Sequence, residues 1–319
     1  MIKNIIKKYE ESNAFLLFVG LLAALFFSAT FLINRSISLE GGHWYWSASL
    51  RFAYTILFLG FGLVLFRGID YLVAVLHEFV THLKFWTIAG SIGFGSFYGF
   101  LCFAADFSPA WVVATTWQTT IIASLFVLWV FGQKLPKSIW GFTFIIFFGI
   151  TLVNLSHFDI TNIKPLLLGF IPVLIASVSY PLGNQLVWES KKKRKSNEDT
   201  SVYLLDNAFV KVFLLTLGSY PVWLILFFLF DVNMPSQGQL ISVAMVALLS
   251  GVIATTLFLY ARNKANTPSK LMLVDASQSG EVFFALLAEV LLLGAVLPNL
   301  MGFVGLVMTT VGLVLIVKK

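Results

Sequence analysis

The chain has 319 residues, of which 59% are hydrophobic and only 11% charged, with a formal net charge of +6. A mean hydropathy of +0.90 exposes more apolar surface than a water-soluble domain can bury, so the composition excludes a soluble enzyme and requires a membrane-embedded protein. The lone Cys102 excludes an internal disulfide and reads as core filler within a span.

A hydrocarbon core about 30 Å thick needs about 20 apolar residues per helix. Ten such stretches are predicted: Phe15 to Asn34, Trp46 to Phe66, Phe85 to Ala105, Ala110 to Phe131, Ile139 to Leu155, Pro165 to Val187, Ala208 to Phe230, Leu240 to Ala261, Leu271 to Leu293 and Leu300 to Val317. Runs of this length, rich in Leu, Phe and Gly, fit helices and not the short alternating strands of a barrel. The first span follows a lysine-bearing flank, as a signal sequence does, and "FSAT" resembles a cleavage site; nine further spans make a retained anchor the expectation.

Between the second and third spans, "RGIDYLVAVLHEFVTHLK" sets Ile69, Leu72, Val73, Leu76, Phe79, Val80 and Leu83 at helical spacing. This predicts an amphipathic helix over 67–84, lying on the inner membrane surface. "HEFVTH" has one residue too many for a His-Glu-x-x-His zinc helix, and His43, His77, His82 and His157 all fall in connectors, so no metal or cofactor is expected. The charged stretch "ESKKKRKSNEDTS" (189–201) reads as a solvated loop.

With the N-terminus inside, the inner segments hold Lys3, Lys7, Lys8, Arg67, Lys84, Lys134, Lys137, Lys191 to Lys195, Arg262, Lys264, Lys270, Lys318 and Lys319. Only Arg35 and Lys164 fall outside, so both termini are expected in the cytoplasm. The pI of about 9.3 then reflects orientation and contact with anionic lipid, with no nucleic-acid partner.

"FGQKLP" (131–136) and "LGAVLP" (293–298) share Gly, Leu and Pro at an offset of 162. Pro109 with Pro268, Gln118 with Gln278, Arg51 with Lys211 and Asn34 with Asn184 follow in the same order. A five-helix unit present twice is predicted, 1–156 and 157–319; five is odd, so the second copy is inverted. Inverted repeats are typical of secondary transporters whose site lies between the halves.

Charge within a span is expensive, so intramembrane acids mark function. On an unbroken ninth helix, Asp275, Gln278 and Glu289 share one face, with Glu281 slightly further round and nearest mid-depth. Glu281, with Asp275 or Glu289, is expected to link proton uptake to substrate release, the alternative being acids that only pair with buried bases. Lys211 is matched by depth to Asp275, and Arg51 to Glu289. The fourth span answers with Trp111, Thr115, Trp117 and Gln118, a polar centre among indoles suited to flat or cationic ligands. Trp111 and Trp129, near the span ends, equally fit interfacial anchoring. Asn34, Tyr180 and Asn184 complete the cavity candidates, and Pro181 predicts a hinge or kink. Ser91, Gly95 and Gly99 read as a close-packing face.

The segments "LFFSATFLINRSISLEGGHWYWSASLRF", "GFLCFAADFSPAWVVATTWQTTI" and "LMLVDASQSGEVFFALLAE" resemble the drug/metabolite transporter superfamily, and within it the multidrug resistance efflux transporter family (ten-span, EamA-like). The resemblance implies a bacterial cytoplasmic-membrane exporter with a cavity lined by the first four spans of each half. Many superfamily members carry Gly-Glu at the end of the ninth span, where this sequence has Gly294-Ala295, and the 67–84 insertion exceeds the usual short connector.

The leading expectation is a proton-driven exporter of small amphipathic or cationic compounds, acting as a monomer or homodimer with protons, substrate and lipid as partners. A facilitative or exchange carrier for amino acids or sugars is the alternative, and a lipid flippase a further one. Gly-x-Ser-x-Gly, His-Glu-x-x-His and phosphate-loop patterns are missing from the sequence, which argues against an intramembrane enzyme or an ATP-driven pump.

Overall fold

The computed structural model describes residue 10 and residues 12–132, 137–156, 163–196, 200–230 and 232–317. Lys3, Lys7, Lys8, Lys134, Pro136, His157, Lys318 and Lys319 lie outside the described residues, as do 197–199 of the charged stretch, whose 189–196 part is helical and not the expected loop, and the 157–162 stretch where the two repeats were expected to meet. Regular structure among the described residues is entirely helical.

In chain order the helices are α1 (Asn13–Leu39), α2 (Trp44–Arg67), α3 (Ile69–Thr81), α4 (Leu83–Ala104), α5 (Ala110–Val130), α6 (Lys137–Ser156), α7 (Lys164–Ser196), α8 (Ala208–Leu229), α9 (Gln237–Lys264), α10 in two pieces (Pro268–Ser277 and Gly280–Leu293) and α11 (Leu300–Val317). Among the described residues, eight of these are long and apolar enough to cross a membrane: α1, α2, α4, α5, α7, α8, α9 and α10. In α6 and α11 the apolar stretch is shorter, Gly141–Ser156 and Leu300–Leu315, and these two helices pack against each other.

Polar residues start the apolar helices by satisfying their first N–H groups. Ser12 accepts from the Phe15 N–H, Asn207 from Phe209, Ser236 from Gln239, and Thr267 from Lys270 just ahead of Pro268. Gly68, at φ +88°, ends α2 and turns the chain into α3 in a conformation that side-chain-bearing residues rarely adopt.

The connector α3 forms over Ile69–Thr81, within the predicted 67–84. Its apolar residues divide between two environments. Ile69, Val73, Leu76, Val80 and Leu83 face outward, whereas Leu72 and Phe79 pack against the core beside buried Val75 and Glu78. α7 stays helical through Pro172 and Pro181, each of which leaves out one backbone N–H from the helix ladder.

In the core, α1 packs on α9 and α10, α7 on α4 and α5, and α8 on α2 and α4. Gly93 of α4 meets Gly183 of α7 so closely that a Cβ at Gly93 would sit 2.8 Å from the Gly183 Cα. Gly95 and Gly99 face Val222 and Trp223 of α8, and Ser91 reaches the Gly218 carbonyl, so the small-residue face lies at a helix interface. Both α4 and α9 contain a π-helical stretch, Ser91–Ser96 and Ala247–Ala254. Such widened turns recur at functional sites.

Candidate functional site

Two spans are interrupted at the paired glutamines. In α5 the ladder tightens at Gln118, whose N–H bonds the Thr115 carbonyl and whose own carbonyl accepts from Ile121. In α10 the same tightening occurs at Gln278, bonded back to Asp275 and accepting from Glu281. Hydroxyl side chains flank both breaks and donate to helix carbonyls. Thr115 and Thr116 bond Trp111 and Val112, while Ser277 and Ser279 bond Val274 and Ala276.

The break disperses the acids expected on one stripe. Asp275, on the first piece of α10, is held by Arg262 of α9 at 2.5 Å (Nη1 to Oδ1), not by Lys211. Arg262 ends α9 only a short turn away, whereas Lys211 sits among the charges of Lys191 and Asp206. Glu289 is buried and accepts the Trp111 backbone N–H at 3.1 Å. Trp111 follows Pro109 and Ala110 at the start of α5, where the first N–H groups lack helical partners, so Glu289 closes that terminus without Arg51. Glu281 opens the second piece of α10, is 8% exposed and has no hydrogen-bond or ionic partner among the described residues.

Arg51 is likewise placed differently from the expectation. Its Nη2 donates to Ser250 Oγ in the π stretch of α9 (2.9 Å), Thr30 of α1 donates to the same oxygen (2.6 Å), and the guanidinium lies 3.9 Å above the Tyr98 ring. Among the described residues its buried Nε has no hydrogen-bond partner. Asn34 donates to the Tyr98 hydroxyl at 3.0 Å and Gln278 to the Gly20 carbonyl, and among the described residues neither Asn34 Oδ1 nor Gln278 Oε1 has a partner.

Tyr180 gathers the remaining candidates. Its ring lies 5.0 Å from Phe97, 5.8 Å from Trp117 and 6.4 Å from Phe94, which makes a four-ring aromatic cage. The charges of Arg51 and Glu281 both act on its hydroxyl. Tyr180 nonetheless keeps 37% of its surface open. Asn184, one turn on, is also open and donates to the Tyr180 carbonyl. Thr115, Gln118 and Trp111 are buried; Thr115 and Gln118 donate to the Trp111 and Ala114 carbonyls of their own helix, and Trp111 gives its backbone N–H to Glu289. Trp129 is exposed, at the end of α5.

Residues 15–319 match the family described as "EmrE: Putative multidrug resistance efflux transporter". The chain belongs to this family. It is therefore a multi-pass membrane transporter, which fits its apolar helices. It is 37% identical over 313 residues to "Uncharacterized protein YjlA" of Bacillus subtilis (strain 168), covering 93% of this chain and 92% of that protein. It is 33% identical over 277 residues to "Uncharacterized 42.1 kDa protein in intracellular alkaline protease 3'region" of Shouchella clausii, covering 82% of this chain and 69% of that one. A solved structure titled "Crystal structure of protein" superposes with a TM-score of 0.59 over 95% of this chain and 96% of its own, at 16% identity, and so shares the fold.

The two ends of the efflux-family bundle differ. At the end carrying Arg35, α2, α8 and α9 are tied together: Tyr45 donates to the Trp223 carbonyl (3.0 Å), Trp46 to the Asn233 carbonyl (2.7 Å) and Gln239 to the His43 carbonyl (2.8 Å). At the basic end the same three helices stand apart around a cavity of about 750 Å³ walled by Phe58, Tyr71, Tyr203, Phe209 and Leu259. It runs from Arg67 to Leu59, about 12 Å along α2 at 1.5 Å per residue. Thr55 and Gly251 meet one turn deeper, below the Arg51–Ser250 contact.

One site escaped the sequence reading. Glu78 of α3 is 2% exposed and is gripped by Arg194 from the end of α7 through two parallel bonds (2.7 and 2.8 Å). Trp86 Nε1 (3.1 Å) and Ser201 Oγ (3.2 Å) also donate to it, and His82 Nδ1 lies 3.3 Å away. Burial pulls the Glu78 carboxyl up, but the Arg194 hydrogen bonds and charge, aided by Trp86 and His82, outweigh it and hold the group below its ordinary value. The available signal was a lone acid in "VLHEFV" on the helix face opposite the outward apolar stripe.

Proposed function

We propose that this transporter is a secondary active exporter of a bacterial cytoplasmic membrane, exchanging protons for small amphipathic or cationic compounds by alternating access. Glu281 carries the reading: a carboxyl enclosed by protein, without a donor or a base among the described residues, and within electrostatic reach of the hydroxyl of an aromatic cage. Burying an unpaired carboxylate is unfavourable, so such a group holds a proton or faces a cation. Proton and substrate then compete for one acid, which is the minimum requirement for exchange. Phe94, Phe97, Trp117 and Tyr180 supply the stacking and cation–π surface for the substrate.

The frame is ten spans in two inverted halves, 1–156 and 157–319, with the basic end in the cytoplasm. Paired interruptions at Gln118 and Gln278 and π stretches in both α4 and α9 support the repeat. So does a pair of hydroxyl contacts in matching places, Thr30 with Ser250 and Ser96 with Ser179. Interrupted helices meeting at a half-to-half interface are a recurring way to build transporter sites.

The test is transport in proteoliposomes under an imposed pH gradient, with a panel of cationic and neutral amphiphiles. The wild type is expected to move substrate against its gradient, and Glu281→Gln to retain counterflow but lose the pH drive. A Glu281→Gln protein still fully driven by the pH gradient overturns the coupling.

A further inference from the structure

We infer that the cavity at the basic end, between α2, α8 and α9, is a binding site for an anionic amphiphile, separate from Glu281 and independent of proton coupling. Its volume of about 750 Å³ and its aromatic walls of Phe58, Tyr71, Tyr203 and Phe209 suit an acyl chain or a fused-ring body. Thr256, midway along α9, presents a hydroxyl to the same space.

The mouth decides the sign of the head group. Arg67 stands at its edge, with its guanidinium 5.9 Å from the Tyr71 ring and no carboxylate within ion-pair distance among the described residues. The acid lining the cavity, Asp206, is ion-paired with Lys191 at 2.5 Å, and the charges of Lys195 and Lys211 act on it as well. Arg67 at the edge and Lys195 and Lys211 near the Lys191–Asp206 pair leave the mouth net positive. A field of that sign draws phosphate, sulfonate or carboxylate heads and repels ammonium heads. The apolar part then lies inward along α2 toward Leu59, under the Thr55–Gly251 contact.

The experiment uses the full chain in phosphatidylcholine nanodiscs, with empty nanodiscs as blank. It is titrated with dansyl-undecanoate and with a dansyl-alkylammonium of equal chain length. The anionic probe is expected to saturate and to be displaced by unlabelled undecanoate, while the cationic probe only partitions into lipid. Arg67→Glu is expected to weaken the anionic probe by about tenfold or more, and Thr256→Trp, which fills the cavity, to abolish its binding. Thermal unfolding of each variant alongside the wild type separates loss of the site from loss of the fold; if Thr256→Trp unfolds, Arg67→Glu decides. Equal binding of both probes, or anionic binding untouched by Arg67→Glu, overturns the site. Glu281→Gln is expected to bind the probe as the wild type does, even where proton-driven transport fails, and loss of binding there overturns the separateness. Repeating the titration in phosphatidylglycerol identifies the source: competition by the lipid supports an inner-leaflet phosphate as the natural head, and unchanged affinity supports a free anionic amphiphile.

Discussion

Glu78 and Glu281 are almost equally enclosed, 2% and 8% exposed, and their surroundings are opposite. Around Glu78 stand a bidentate guanidinium, an indole N–H, a hydroxyl and an imidazole. Around Glu281 the described residues provide no donor. A carboxylate saturated by fixed donors has little capacity left to exchange anything, and its energy goes into holding elements together. Here it fastens α3 to the end of α7, across the two proposed halves. An unpartnered carboxyl stabilises nothing and is free to respond to a proton or a ligand. Burial alone does not mark a functional acid; the partner count does.

The sharpest way to break this contrast is to remove each acid. Glu78→Ala takes away the buried carboxylate that Arg194 grips, and breaking one side of a buried pair costs about 3–5 kcal/mol. The expected result is a large fall in the denaturant midpoint in micelles, with Glu78→Gln intermediate. Glu281→Gln should unfold no earlier than the wild type, since it replaces a buried carboxyl by a neutral group. An early-unfolding Glu281→Gln protein would mean that the acid has a structural partner after all.

The same difference shows which parts of the molecule were legible in the chain. Helix positions followed from apolar runs, and α3 from its apolar spacing, because both are local properties. Glu281 was legible because an acid in a span is anomalous by itself. Its company was not. The stripe of Asp275, Gln278 and Glu289 presumed an unbroken turn of about 100° per residue, whereas the helix is interrupted at Gln278. Asp275 then falls to Arg262 and Glu289 to the free first turn of α5, so depth-matching with Lys211 and Arg51 could not succeed. Two of the partners of Glu78, Arg194 and Ser201, lie 116 and 123 residues away, a separation that no local pattern encodes.

Acid pH sharpens the comparison at intermediate size. The Glu78 carboxyl is held below its ordinary value of 4.5, so its contribution is full above that value and is lost as the pH falls through the lower, folded-state value. Denaturant midpoints of the wild type should therefore decline below about pH 4.5, and Glu78→Gln should flatten that decline. A wild-type acid limb unchanged by Glu78→Gln would assign the loss to other carboxylates.

The smallest effect is expected at Asp275, a partnered acid that differs from Glu78 in exposure. Its side chain and that of Arg262 are 38% and 41% exposed, so solvent screens the pair despite the short contact. Exposed pairs are worth about 0–1 kcal/mol, and Asp275→Asn should shift the unfolding midpoint by no more than that, less still in high salt. The double variant Asp275→Asn with Arg262→Gln should equal the sum of the singles to within the same range. A loss at Asp275 as large as that at Glu78 would show that the α9–α10 turn is closed off from solvent by lipid. The contrast drawn here would then rest on the membrane, and not on the number of donors each carboxylate meets.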